Sequence, residues 1–208
     1  MHDIKVMKSL KPTYNKSLIL SRLGYNKRHT VLSDQDMQEV ERLIFNAENT
    51  LNITAAYRIM GISQIEAPRV ILEDGTILSG HRLSELLKNS PQALIMGATG
   101  GNKIMELIER LQIEGKMSEA VVIDAAASEI TDSALGFVMT IVEQYLRPKG
   151  RFLTKMRFSP GYGDFDITQQ KIFYRLLDGE SLGIKMNEAC LLIPEKSVFA
   201  IAGICGEH

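Results

Sequence analysis

The chain has 208 residues, 45% of them hydrophobic and 24% charged, with a formal net charge of −1. This globular balance allows one sizeable core, and its near-neutral charge gives no indication of a nucleic-acid partner. No apolar run near the N-terminus is long enough for a signal peptide or a membrane span, so we expect a cytoplasmic protein without a membrane partner. Two cysteines, Cys190 and Cys205, are too few for a disulfide framework.

The first 60 residues are predicted to be mainly helical. A short apolar segment that ends at Gly24 is typical of a helix with glycine at its C-terminal end. Apolar residues then recur with the helical period over residues 37–51. Ser33, with Asp36 three residues later, predicts a capping box at the start of that helix.

Residues 61–208 are predicted to carry the sheet. Asp74-Gly75 lies between two apolar runs and predicts a β-hairpin, and a short helix is predicted after it. The pattern over residues 91–115 predicts a strand, a glycine-rich turn and an amphipathic helix. Residues 118–146 predict another short strand followed by a long helix.

The C-terminal part continues this mixture of strands and helices. Residues 150–160 alternate weakly and predict a strand. A helix follows, with Asp166 as its candidate N-cap and Gln169 as the capping-box partner. Two strands, residues 189–194 and 197–204, are predicted to be joined by a tight turn. Without a regular strand-helix-strand rhythm, we expect one α+β unit over the whole chain, with a largely antiparallel or mixed sheet and helices against it.

The glycine-rich turn within residues 96–103, MGATGGNK, lies where free backbone N–H groups favour anions. It is not a P-loop, because Asn102 stands where that motif has its second glycine. A tight structural turn is the first interpretation. The alternative is a ligand-facing loop from Gly97 to Gly101, to which Lys103 would add charge.

Conventional catalytic constellations are not predicted. No histidine lies at metal-ligand spacing from another ligand, so we predict no metal site. A Gly-x-Ser-x-Gly nucleophile elbow does not occur in the sequence. Asp124, Glu129 and Asp132 crowd the predicted long helix, and a mostly solvated helix face is the default explanation for these carboxylates. We therefore assign no catalytic residue.

The segment RFSPGYGDF, residues 157–165, combines a proline, two glycines and a tyrosine between a basic and an acidic side chain. Arginine offers a planar fork of donors that suits a carboxylate. Glycines allow the backbone to approach a flat ring, and tyrosine packs on a heterocycle. These residue types suit a ligand with an amino-acid end and an aromatic end. A plain turn with a surface arginine is the alternative.

Over about residues 120–203 the sequence resembles the C-terminal activation domain of cobalamin-dependent methionine synthase. The family pattern Arg-x-x-x-Gly-Tyr is matched by Arg157, Gly161 and Tyr162, and its hydrophobic-Pro step by Pro194. Further matches are the helix that follows the motif, the Leu182-Gly183-Ile184 turn and the Ser197-Val198 strand.

The resemblance implies a curved, largely antiparallel β-sheet flanked by helices, and a bound S-adenosylmethionine. In the family, the cobalamin of the synthase occasionally oxidises to an inactive state, and the activation domain then caps the cobalamin domain. An external donor, often flavodoxin, supplies one electron, and S-adenosylmethionine supplies a methyl group.

The resemblance also implies roles for five positions. Arg157 would hold the carboxylate of the methionine moiety, backbone groups at Ser159 and Gly161 would meet the adenine, and Tyr162 would line the pocket. Asp132 stands where the family has a glutamate near the amino end of the ligand. Its shorter side chain keeps the charge but reaches less far.

Cobalamin is expected only on a partner, because the Asp-x-His-x-x-Gly motif of corrinoid proteins is missing. The first hypothesis is a free-standing activation subunit that binds S-adenosylmethionine and docks on a separate cobalamin-bearing methionine synthase. It would support reductive remethylation, with an electron donor such as flavodoxin. The alternative is a non-catalytic S-adenosylmethionine-binding or docking and assembly module for another corrinoid methyltransferase. A third reading is a domain that kept the fold and lost the ligand.

Overall fold

The structure is a computed structural model that describes residues 3–25 and 33–206. Within these ranges the chain forms nine β-strands and six α-helices. In chain order they are β1 Lys5–Leu10, α1 Lys16–Arg22, α2 Asp34–Thr50, β2 Ile53–Glu66, β3 Arg69–Leu72, β4 Ile77–Ser79, α3 His81–Leu87, β5 Gln92–Thr99, α4 Asn102–Ile113, α5 Met117–Leu146, β6 Arg151–Leu153, α6 Gln170–Leu176, β7 Lys185–Met186, β8 Leu192–Ile193 and β9 Ser197–Gly206.

Seven strands form one curled sheet in which all neighbouring pairs are antiparallel. The strand order is β4-β3-β2-β5-β9-β6, and β1 pairs with the first part of β2. β5 lies in the middle, with β2 on one side and β9 on the other. This architecture confirms the expected α+β fold with a largely antiparallel sheet.

The sheet separates two hydrophobic cores, one on each face. Leu94 and Ile95 of β5 are both fully buried, and they belong to opposite cores because successive side chains of a strand point to opposite faces. Helices α1, α2, α4 and α5 cover the first face. On the second face, the rings of Phe165 and Phe173 lie 5.9 Å apart, and those of Phe173 and Phe199 lie 6.1 Å apart. Burying each large apolar side chain contributes about 1.5–3 kcal/mol.

The central helix α5 runs for 30 residues without a break. The prediction of a short strand at the start of residues 118–146 is therefore wrong. A brief apolar run is compatible with either a strand or a buried helix. Here the run leads directly into alanines, which have the highest helix propensity, and Ala120, Ile123 and Ala127 are buried at helical spacing.

Within the described ranges, the helical segment Met117–Lys149 is the one that is long and apolar enough to cross a membrane, judged by length and composition. More than half of its most apolar window, 56%, is buried inside the protein. A helix that is apolar around most of its circumference is also what the core of a globular protein requires. Its contacts with α2, α4 and the sheet place α5 in that core.

Local signals in the N-terminal part give the expected structures. The N–H of Asp36 donates to Ser33 Oγ, and the N–H of Ser33 donates to Asp36 Oδ2, which closes the predicted capping box. Gly24 has a φ of 79° at the end of α1. The strands β3 and β4 form the hairpin predicted from Asp74-Gly75.

The mainly helical character expected for residues 1–60 holds for α1 and α2, but this segment also supplies β1 and the start of β2. The expected boundary at residue 60 falls inside the 14-residue β2. β1 has little sequence signal because it pairs on one side only, and its side chains are exposed or half-buried without alternation.

Three details near the C-terminus differ from the predictions. Asp166 caps the turn Ile167–Gln169, but Gln169 does not complete a capping box. Its side chain instead exchanges two hydrogen bonds with the backbone of Ser79 at the end of β4. The predicted strand 197–204 lies wholly within β9, whereas the predicted strand 189–194 is reduced to β8, which pairs with β7. The strand predicted over residues 150–160 is reduced to β6.

Candidate functional site

An ion pair between α5 and the loop 157–165 is the centre of the candidate site. Nη2 of Arg157 donates to Oδ2 of Asp132 at 2.6 Å and to the carbonyl oxygen of Asp132 at 3.3 Å. The exposed fraction is 27% for the Arg157 side chain and 42% for that of Asp132. Two of the five residues assigned from the sequence are thus in direct contact, although 25 positions separate them.

The segment that carries Arg157 is fixed to the sheet by its neighbour. Phe158 exchanges two backbone hydrogen bonds of 2.9 Å with Ile201 of β9. Its ring stacks on the ring of Phe165, with the centroids 5.8 Å apart. Because Phe165 is fully buried, these contacts tie both ends of the loop 157–165 to the second core.

The loop closes on itself through its own backbone. The N–H of Gly161 donates to the carbonyl of Phe165 at 2.7 Å, and the N–H of Tyr162 donates to the carbonyl of Ser159 at 3.3 Å. Gly161 has a φ of 93°, and a Cβ there would lie 2.8 Å from Ile167 Cδ1. Glycine is therefore needed to shape the loop, and the Gly161 N–H is already used within it.

Tyr162 and Asp164 end the loop with different roles. The Tyr162 side chain is 68% exposed, so its ring is open to a ligand at the loop tip. The Asp164 carboxylate accepts hydrogen bonds from the N–H groups of His81 and Arg82 at the start of α3. The acidic residue of the segment therefore joins the loop to a helix, and the ring is the part left for binding.

Two clefts meet at Asp132. The small cleft, of about 210 Å³, is lined by Thr131, Tyr162 and Lys196 among others. The large cleft, of about 640 Å³, is lined by Arg157, Tyr14 and Phe137 among others. Asp132 lines both. The ion pair is thus positioned where an elongated ligand that spans the two clefts would pass.

A second ion pair lies one helical turn before the first. Glu129 is 4% exposed, and its Oε2 lies 3.4 Å from Nε of Arg22 on α1. Burial raises the pKa of Glu129, with Arg22 opposing the shift and the Asp132 carboxylate adding to it. The solvated face that was the default explanation for these carboxylates is wrong for Glu129, which is on the buried side of α5.

Lys196 is a functional candidate that the sequence did not indicate. Its side chain is 5% exposed, and its Nζ lies 2.7 Å from Oδ1 of Asp124 and 3.1 Å from Oε1 of Glu195. A buried ammonium requires such partners. The one available signal was a lysine between two strongly apolar strands, and this signal does not reveal the partner on α5.

The glycine-rich turn 96–103 is part of the scaffold. A Cβ at Gly97 would lie 2.5 Å from the ring of Phe199. The N–H of Gly100 donates to the carbonyl of Lys196, and the N–H of Gly101 donates to the hydroxyl of Thr99. These donors are not free for an anion, and no residue of the turn lines either cleft. The first interpretation, a tight structural turn, is the one the structure supports.

Comparison with known proteins gives a match at the level of the fold. No protein-family model and no curated protein sequence matches the chain. Among solved structures, the chain is similar to the crystal structure of the MetH reactivation domain bound to AdoHcy, with a TM-score of 0.72. The sequences are 13% identical, and the match covers 97% of this chain and 78% of the other. The chain therefore has the fold of that domain, a curled antiparallel half-barrel sheet with helices.

Proposed function

We propose that this chain binds S-adenosylmethionine across the two clefts and acts as a reactivation subunit for a separate cobalamin-bearing methionine synthase. The observation that carries the proposal is the Arg157–Asp132 pair beside the Gly161-Tyr162 loop. It occurs in a fold shared with a domain crystallised with AdoHcy. AdoHcy is what remains of S-adenosylmethionine after its methyl group has been transferred, so both compounds suit the same site.

Arg157 has the donors to hold the carboxylate of the ligand. A guanidinium carries five N–H donors, and the hydrogen bonds found for Arg157 in the described part of the chain all start from Nη2. The remaining donors are available for a carboxylate. Because Asp132 already orients the guanidinium, little side-chain freedom is lost when the ligand binds.

Asp132 has an oxygen to offer to the ammonium of the ligand. Its Oδ2 accepts from Arg157, and the side chain is 42% exposed at the junction of the clefts. A carboxylate accepts several hydrogen bonds through its two oxygens. One arginine and one aspartate therefore complement the two charges of an amino-acid end.

The aromatic end of the ligand would pack at the loop 157–165. The exposed ring of Tyr162 provides a face for a purine. Gly161 has no side chain above the loop, but its N–H already donates to Phe165. The predicted contact of the Gly161 backbone with adenine would therefore use its Cα and carbonyl side.

In this proposal the protein contributes orientation. A cobalamin on the partner would supply the nucleophile that takes the methyl group, after an electron from a donor such as flavodoxin. This chain would hold the amino-acid end and the nucleoside end of S-adenosylmethionine so that the methyl group is presented to the partner. Methyl transfer from a sulfonium needs no general base, so no catalytic acid or base is required here.

A reactivation assay tests the proposal. An oxidised cobalamin-bearing methionine synthase without a reactivation domain of its own is incubated with reduced flavodoxin, S-adenosylmethionine and this chain. We expect recovery of methionine synthesis only when both the chain and S-adenosylmethionine are present. Arg157→Ala should abolish recovery at limiting S-adenosylmethionine. Arg69→Ala, at an exposed arginine of β3 that pairs with Glu66, should leave it unchanged.

Recovery that is equal with the wild type and Arg157→Ala, or equal without the chain, would contradict the proposal. S-adenosylmethionine binding without any reactivation would support the alternative, a non-catalytic binding or docking module for another corrinoid methyltransferase.

A further inference from the structure

The side chain of Glu195 presents a reachable carboxylate at the small cleft. It lines this cleft and is 73% exposed. Its Oε1 accepts a hydrogen bond from Nζ of Lys196 at 3.1 Å. Within residues 3–25 and 33–206, no hydrogen bond to its Oε2 is found. One of the two carboxylate oxygens is therefore left for a donor that enters the cleft.

The turn that carries Glu195 is anchored to the scaffold. The carbonyl of Lys196 accepts a hydrogen bond from the N–H of Gly100 at 2.7 Å, which ties the turn after β8 to the end of β5. The buried ammonium of Lys196 lies 2.7 Å from Oδ1 of Asp124 on α5 and also contacts Glu195. The Glu195 carboxylate is therefore oriented by a buried cation. Because Asp124 also pairs with that cation, Lys196 does not depend on Glu195 alone.

The small cleft suits the nucleoside end of the proposed ligand. With a volume of about 210 Å³ it is too small for the whole ligand, since small-molecule sites measure roughly 300–1,000 Å³. Arg157, which would hold the amino-acid end, lines the large cleft. The exposed ring of Tyr162, which would pack on the purine, lines the small one. The ribose attached to this purine would therefore lie in the same cleft as the Glu195 carboxylate.

We infer that Glu195 binds the ribose of S-adenosylmethionine or AdoHcy, with Oε2 accepting a hydrogen bond from a ribose hydroxyl group. An ionised carboxylate only accepts hydrogen bonds, and the adjacent 2′- and 3′-hydroxyl groups of a ribose can donate them. Acidic side chains bind ribose hydroxyl groups by the same chemistry in dinucleotide-binding folds. The inference rests on the proposed function and deepens it by naming a residue that selects ribonucleosides, which the sequence did not indicate.

Calorimetric titration of AdoHcy and of its 2′,3′-dideoxy analogue into the wild type and Glu195→Ala tests this inference. Glu195→Ala should weaken AdoHcy binding about tenfold or more, the loss expected for one hydrogen bond to a charged group. The dideoxy analogue has no ribose hydroxyl group, so its affinities for the two proteins should agree within about twofold. Glu195→Gln, which keeps a neutral acceptor, should weaken AdoHcy binding less than Glu195→Ala does.

Glu180→Ala is the matched control for the loss of one negative charge. Glu180 is exposed and lines neither cleft. This variant should keep its affinity for AdoHcy within about twofold, because salt screens distant surface charges. A folding defect in Glu195→Ala would weaken the binding of both ligands by the same factor. The comparison of AdoHcy with its dideoxy analogue therefore separates a contact with the ribose from a structural role.

The outcomes distinguish this inference from the proposed function. If Arg157→Ala weakens AdoHcy binding and Glu195→Ala weakens it no more than Glu180→Ala does, the inference fails and the proposed function stands. Equal weakening of AdoHcy and its dideoxy analogue by Glu195→Ala would show that the carboxylate does not contact the ribose hydroxyl groups, which also overturns the inference. Absence of AdoHcy binding by the wild type would overturn both.

Discussion

The two arginine–carboxylate pairs on α5 have the same chemistry and opposite burial. In the first pair, Nη2 of Arg157 lies 2.6 Å from Oδ2 of Asp132, and the carboxylate is the more exposed partner. In the Arg22–Glu129 pair the distance is 3.4 Å, and the carboxylate is 5% exposed while the arginine is 48% exposed. The pairs are three positions apart on one helix, so their difference comes from what surrounds each side chain.

Each of these four residues lines at least one of the two clefts, so the difference between the pairs lies in how much of each carboxylate a ligand can reach. Asp132 presents its carboxylate to both clefts, so a ligand cation can reach it. The Glu129 carboxylate is almost fully covered, and burial raises its pKa. A carboxylate that is almost fully covered offers little surface to a ligand ammonium, whatever its position in the sequence.

The largest expected difference between the two carboxylates is in their contribution to the affinity for AdoHcy. Asp132→Asn should weaken AdoHcy binding about tenfold or more, because hydrogen bonds to charged groups contribute about 1.5–3 kcal/mol. Glu129 also lines the large cleft, but its carboxylate is almost fully covered, so Glu129→Gln should weaken AdoHcy binding less than Asp132→Asn does. Calorimetric titration of both variants measures the difference. Equal losses would remove the functional distinction between the pairs.

A smaller effect is expected in the coupling within each pair. A double-mutant cycle with Arg157→Ala and Asp132→Ala should give a coupling free energy of unfolding of about 1 kcal/mol, the upper end for partly exposed pairs. The cycle for Arg22 and Glu129 should give about half of that. The distance of 3.4 Å between Arg22 Nε and Glu129 Oε2 is long for a charge-assisted hydrogen bond. Urea unfolding at neutral pH measures both, and a stronger coupling for the second pair would reverse this ranking.

The subtlest expected effect is on the pH dependence of stability. Because the pKa of Glu129 is raised above its ordinary value of 4.5, the folded protein binds a proton at this carboxylate more tightly than the unfolded chain does. The charged form therefore destabilises the fold, and this penalty disappears as the pH falls towards 4.5. Glu129→Gln should be more stable than the wild type at pH 7, and this advantage should shrink on acidification.

Removing the partner cation sharpens the same comparison. Arg22 opposes the rise in the pKa of Glu129, so Arg22→Ala should steepen the loss of stability between pH 4.5 and pH 7. Urea unfolding across this range for the wild type and both variants measures the slopes. If Glu129→Gln has the slope of the wild type, Glu129 does not titrate as its burial implies.

Local sequence signals predicted the helices and turns, and the loop 157–165 was identified because several special residue types fall within nine positions. Ser33 capped its helix as expected, and Asp74-Gly75 formed its hairpin. These structures depend on residues that are close in sequence. The spatial order of the strands in the sheet was not predictable in this way, because the partner of each strand depends on the whole fold.

The walls of the candidate site show why its prediction was incomplete. Arg157 and Asp132 were assigned through a family resemblance, and their contact appears only once α5 packs beside the loop. Thr131 and Lys196 meet at the small cleft from positions 65 residues apart. Neither has a local pattern that marks it, because a buried threonine in a helix and a lysine in a turn are common when considered alone.

The central claim is that Arg157 holds the ligand, and titration of AdoHcy into the wild type and Arg157→Ala tests it most directly. The wild type should bind one AdoHcy per chain with a saturable signal. Arg157→Ala should bind about tenfold to a hundredfold more weakly, while the exposed control Arg69→Ala should bind as the wild type does. Wild-type protein that does not bind AdoHcy, or an Arg157→Ala variant that binds it equally well, would contradict the account.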